Sequence, residues 1–160
     1  MIRFSSPLYR IGFLAVAVAL LLPAMARAQE AGAAPQSTFE IKARAADAIT
    51  LVAGQANITL WGVEAVPDGS ASFRLKARTA LGNAVSNNPV RCQTRRREGA
   101  AIFAQCVNNN DLDLGLFMVQ QGFATVDRSV VYGTVFEEAY LQGEMQAQDR
   151  GLGVWADKPD

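Results

Sequence analysis

Histidine is absent from all 160 residues. That excludes Ser-His-Asp and Cys-His catalysis, histidine metal centres and the commonest general base. Cysteine is scarce: Cys92 and Cys106 are the only two. Two thiols without an imidazole fall short of the four ligands of a structural zinc site. No internal repeat is present, and beyond residue 28 no apolar run is long enough to cross a bilayer. Any chemistry must therefore run on carboxylates, guanidinium groups, amines or hydroxyls.

The N-terminus reads as an export signal. Arg3 and Arg10 make a positive start, Ile11 to Leu22 is an apolar run of 12 residues, and Ala26-Arg27-Ala28 places small residues at the two recognition positions. Cleavage is expected after Ala28. An uncleaved anchor is the alternative, disfavoured by the shortness of the run and by Pro23 directly after it. Export places the product in the periplasm or outside the cell, with no stable membrane span once the signal is removed. Residues 29–160, 132 in all, are expected to make one domain with a single core. Removing the signal's three arginines leaves 12 basic residues against 15 acidic, a net charge of −3. Proteins that hold nucleic acid by its phosphates usually carry a basic surplus, which this chain lacks.

Residues 29–38 are rich in Ala, Gly, Pro, Gln and Ser and read as a disordered leader. Phe39 to Ala45 alternates apolar and polar, the period of a half-buried strand. Strands at Ile49–Val52 and Asn57–Gly62 follow. A helix is predicted from about Ala71 to Leu81, with Gly82 as its stop. Asn88–Thr94 and Ala101–Val107 read as a hairpin around the polar turn Arg95-Arg96-Arg97-Glu98-Gly99. Folding about Gly99 sets Cys92 opposite Cys106, near disulfide range. In an oxidising compartment the bond is expected over two free thiols, at about 3 kcal/mol of stabilisation. The arginine run contains no aromatic residue to stack a base and reads as a solvated hairpin tip. Asp111 is the expected N-cap of a helix ending at Gly122. Val135 to Arg150 is an amphipathic helix with Phe136, Tyr140 and Ala147 inward and Glu137, Glu138 and Glu144 facing water. Trp155 is expected to plug the core. This order predicts an α+β domain built on a five-stranded OB-fold barrel with about three helices, over residues 39–156, followed by a short tail at 157–160.

Two acids stand at neighbouring strand ends. Asp47 precedes Ile49-Thr50-Leu51-Val52, and Glu64 closes Asn57 to Ala65. Paired carboxylates suit a hard cation such as Ca2+, which takes oxygen ligands. Both acids are also explained as solvated strand-end residues.

The phrases Ile58-Thr59-Leu60-Trp61-Gly62-Val63-Glu64-Ala65, Val90-Arg91-Cys92, Ala104-Gln105-Cys106, Asp111-Leu112, Val119-Gln120-Gln121-Gly122-Phe123-Ala124 and Gly151-Leu152-Gly153-Val154-Trp155 occur in one order. Their order and spacing resemble the staphylococcal-nuclease-like (thermonuclease) family, from about Phe39 to Trp155. The resemblance implies a Ca2+-dependent phosphodiesterase acting on DNA and RNA. Two aspartates would hold the metal, a glutamate would assist the water, and two arginines would hold the phosphate. Asp47 falls on the first metal position and Glu64 on the second. Pro67 falls on the base, with Asp68 one residue later. Thr59 and Ala101 fall on the arginines, and Asp127-Arg128-Ser129 occupies the stretch of base-stacking tyrosines. On this reading nothing cationic stands beside the acids. Losing one preorganised donor costs about 100- to 1000-fold in rate, so losing both arginines and the base leaves little catalysis.

Two functions follow. One is an exported member with an eroded site, acting as a non-catalytic binding or envelope-associated protein. The other is a nuclease or phosphodiesterase with a rebuilt site that uses Asp47, Glu64 and Asp68 with an arginine from 95 to 97. In that second case Asp47 and Glu64 hold Ca2+, Glu64, Asp68 and Arg97 carry catalysis, and nucleic acid is the partner. Glycan or peptide binding on the barrel face rests on fold analogy alone.

Overall fold

The computed structural model describes residues 37–67, 70–86 and 88–156. The expected signal with its cleavage after Ala28, the leader up to residue 36, Asp68 and the tail at 157–160 lie outside the described residues.

The alternating segment forms β1 (Thr38–Lys42) and β2 (Arg44–Ala45), broken at Ala43. Then come β3 (Thr50–Ala53), β4 (Ala56–Leu60) and β5 (Val63–Ala65). Helix α1 (Ala71–Val85) leads to β6 (Pro89–Glu98) and β7 (Ala101–Val107). Helix α2 (Leu114–Gln120), β8 (Ala124–Val126), the short α3 (Arg128–Val131) and α4 (Glu137–Asp149) complete the order, with a 3-10 turn at Gly153–Trp155. Six strands pair in the order β1-β6-β7-β4-β3-β2, and β5 pairs with β8. The two edges of the large sheet, β1 and β2, are halves of one bent segment, so the sheet curls towards closure. Counted as one strand they restore the expected five. The fold is α+β and OB-like, with three helices of seven residues or more.

Leu51, Ile58, Leu60, Leu81, Val90, Leu114, Met118 and Tyr140 are all less than 2% exposed and form the core. Each buried aliphatic side chain contributes about 1.5–3 kcal/mol. A surface pair such as Arg91–Asp111 contributes about 0–1 kcal/mol. Burial therefore holds this fold, and surface charge does not.

Two glycines explain two of the sequence phrases. Gly122 has φ 68°, and a Cβ there would lie 2.1 Å from the Leu152 carbonyl oxygen. Gly153 has φ 58°, and its Cβ would lie 2.1 Å from the Gly122 oxygen. Val154 N–H donates to that same oxygen at 2.9 Å. The C-terminal turn is thus pressed backbone to backbone against the end of α2.

Several expectations need correction. Helix α1 runs past Gly82 to Val85 and ends at Ser86, which has φ 40°. Leu81 and Val85 are buried on its inner face, and that packing outweighs the roughly 1 kcal/mol cost of a mid-helix glycine. The N-cap of α2 is Asp113, not Asp111. The buried Asn108 side chain accepts from Asn110 N–H and Leu112 N–H, which delays the helix, and Asp111 adopts φ 58°. Glu144 does not face water: it is 3% exposed, one turn from Tyr140 on the inner face of α4. Trp155 is half-buried in its 3-10 turn and does not plug the core.

The arginines do not form a hairpin tip. Arg95, Arg96 and Arg97 lie within β6, and the turn is Gly99-Ala100. Glu98 pairs with Ala101, a register that would carry Cys92 to Val107 if it continued unbroken. A bulge between Thr94 and Arg96 shifts the pairing by one residue and brings Cys92 opposite Cys106. The expected disulfide is present, with Cα atoms 4.1 Å apart.

Candidate functional site

Asp47 lies in the turn between β2 and β3. Its Oδ1 accepts from the backbone N–H groups of Ile49 and Thr50, both at 2.8 Å. Such an Asx-type turn is a local device that starts β3. The side chain is exposed and lines a cleft of about 90 Å³ with Ala65, Val66, Phe73, Arg74 and Phe123. Glu64 is exposed on β5, opposite Thr125 of β8, and does not line that cleft.

Two arginines line the clefts that contain Asp47. Arg74 lines its cleft, and Arg74 and Arg78 line a second cleft with Ala46, Asp47 and Leu75. Both arginines come from α1, and a spacing of four puts them on one helix face. The family resemblance places the phosphate-binding positions at Thr59 and Ala101, away from α1. The spacing of Arg74 and Arg78 on a predicted helix was the signal that could have found them.

Thr59 is half-buried in β4, between Thr50 of β3 and Phe103 of β7. Ala101 is exposed at the hairpin end. Arg96 is held locally, 3.2 Å from Glu98 and with its guanidinium 4.3 Å from the Phe103 ring centroid. Arg97 is exposed and opposite Ile102.

The stretch Asp127-Arg128-Ser129 is a capped turn. Asp127 accepts from Ser129 N–H at 3.0 Å, and Arg128 pairs with buried Glu144. Glu144 also accepts from Val126 N–H at 2.9 Å. The hydrogen bond that Arg128 donates to Glu144 raises the Arg128 pKa above its ordinary value, against a smaller opposing effect of burial.

A second polar cluster escaped the sequence reading. Arg95 Nη2 donates to Gln105 Oε1, and Gln105 Nε2 donates to Asp113 Oδ2 at 2.7 Å. Asp113 Oδ1 accepts from Tyr140 Oη at 3.0 Å and from Leu116 N–H at 3.0 Å. Three segments, β7, α4 and the start of α2, thus meet on one carboxylate. Burial, and then the charge of Asp113, push the Tyr140 phenol well above its ordinary pKa.

Among the described residues no three His, Cys, Asp or Glu side chains gather as a metal-binding group. Ca2+ takes six to eight oxygens. Asp47 and Glu64 supply two carboxylates at most, one of them holding two N–H groups and flanked by Arg74. Among the described residues these two carboxylates alone fall short of that number. No helix among the described residues is long and apolar enough to cross a membrane.

A comparison with curated proteins gave no match. Residues 57–157 match the sequence model described as staphylococcal nuclease homologue, which spans β4 to the C-terminal turn. That match covers more than half of the chain, and the curled sheet and three helices agree with it; the protein belongs to the staphylococcal nuclease homologue family.

Proposed function

We propose that this is an exported, non-catalytic member of its family, a nuclease-type domain retained as a binding or envelope-associated protein. One observation carries the reading. Asp47, which falls on a metal position of the family, is engaged with two N–H groups of its own turn, while Thr59 and Ala101 carry no charge. Phosphodiester cleavage needs donors aimed at the developing charge, and losing one costs about 100- to 1000-fold. The export half rests on the N-terminal residues, with residues 1–28 as signal, 29–38 as leader, 39–156 as the domain and 157–160 as a tail. The disulfide fits an oxidising compartment.

The test uses the chain from Gln29 on single-stranded DNA with added Ca2+. Turnover is expected at background and unchanged in Asp47→Ala. Calcium-stimulated cleavage that disappears in Asp47→Ala refutes the reading. A periplasmic extract should yield a chain whose mass starts at Gln29.

The second reading is a rebuilt nuclease, and the place of Arg74 beside Asp47 favours it. There the phosphate would meet a guanidinium from α1 in place of Arg97, with Glu64 and Asp68 assisting. It requires cleavage that falls by orders of magnitude in Arg74→Ala.

A further inference from the structure

The bulge in β6 leaves Arg95 without a cross-strand partner and turns its side chain against Trp61 and Phe136. Bulges re-aim side chains in this way. The guanidinium carbon lies 4.9 Å from the Phe136 ring centroid and 5.5 Å from that of Trp61. Arg95 is half-buried, and its Nε is buried without a hydrogen-bond partner among the described residues. Its one polar partner among the described residues is the neutral amide oxygen of Gln105. The other guanidinium groups of β6 that bind acids, Arg91 and Arg96, have Asp111 and Glu98. A charge withdrawn from water is ordinarily matched by a counter-charge, and ring faces offset only part of that need.

Arg95 lines a cleft of about 340 Å³ with Thr38, Arg91, Gln93, Gln105 and Phe136. Gln105 is oriented by Asp113, which Tyr140 and the start of α2 hold in turn. The guanidinium is therefore preorganised from behind. No lining residue is shared with the clefts that contain Asp47.

We propose that this cleft is a binding site for a small oxyanion, a carboxylate or phosphate group seated on Arg95 with the rest of the molecule lying along Thr38 and Gln93. Planar donors of a guanidinium match such acids two bonds at a time. The site is independent of the family's acidic positions, so its failure would leave the reading of Asp47 untouched.

The test is an NMR titration of the isotope-labelled chain with inorganic phosphate and, separately, with benzoate. The Arg95 Nε–H and Gln105 amide signals should shift and saturate with at least one acid, and which one does so identifies the acid group. Arg95→Gln should abolish saturation while the thermal transition confirms folding. Arg95→Lys keeps the charge but loses the fork, and should bind about tenfold more weakly. Saturation by neither acid overturns the proposal. So does a saturable titration that is the same in Arg95→Gln, or in Arg95→Lys should the first variant not fold.

Discussion

Asp47, in the turn before β3, and Asp113, the N-cap of α2, are both aspartates that accept from backbone N–H groups, yet they live in different surroundings. Asp47 is exposed, and its Oδ1 accepts from Ile49 N–H and Thr50 N–H, two and three residues away. Asp113 is half-buried and receives Gln105 from β7, Tyr140 from α4 and the first turn of its own helix. The first is a local turn device, while the second joins a sheet to two helices. The family resemblance draws attention to Asp47, but the structural dependence of the molecule lies on Asp113.

The contrast can be broken by measurement. Asp113→Ala should have the largest effect, about 3–4 kcal/mol by denaturant unfolding: it removes an N-cap and strands a phenol and an amide in a poorly solvated place. A loss under about 1 kcal/mol would mean that the network contributes no more than a surface cap.

Tyr140→Phe should cost less, about 1–2 kcal/mol at neutral pH. It also sharpens the comparison through pH. Burial raises the folded-state pKa of Tyr140 above the unfolded value near 10. A raised pKa means that its contribution is complete below about pH 10 and is lost as pH climbs beyond that. The parent should therefore lose stability with pH above about 10, and Tyr140→Phe should lose it less steeply. Equal slopes in unfolding series across that window would assign the alkaline loss elsewhere.

Asp47→Ala should be the smallest, about 0.5–1 kcal/mol, since its two bonds are exposed and local. A loss above about 2 kcal/mol in the same denaturant series would erase the distinction between the two aspartates.

Much of the architecture was legible because its signals are short-ranged. Alternation marked β1, apolar spacing marked α1, and Gly122 marked the end of α2. The Cys92–Cys106 pairing was also read, although for a reason that was only half right. Symmetry about Gly99 gave the right partners, while the actual turn is one step off and the bulge at Arg95 makes up the difference. The site was less legible. The spacing of Arg74 and Arg78 puts both on one face of α1, but that local pattern does not say that the face meets the Asp47 turn. Glu144 looked solvated because a carboxylate on an amphipathic helix usually is, and Arg128 and the Val126 N–H, sixteen and eighteen residues away, make its burial tolerable.

By itself the sequence determined the order of elements, the family and the two cysteines that pair, because periodicity, turn residues and strand symmetry act over a few residues. Tertiary structure alone decided where the arginines went. The bulge placed Arg95 among aromatic rings, and helix packing brought Arg74 to Asp47. Those outcomes depend on contacts between segments far apart in the chain, whose energies no local pattern contains.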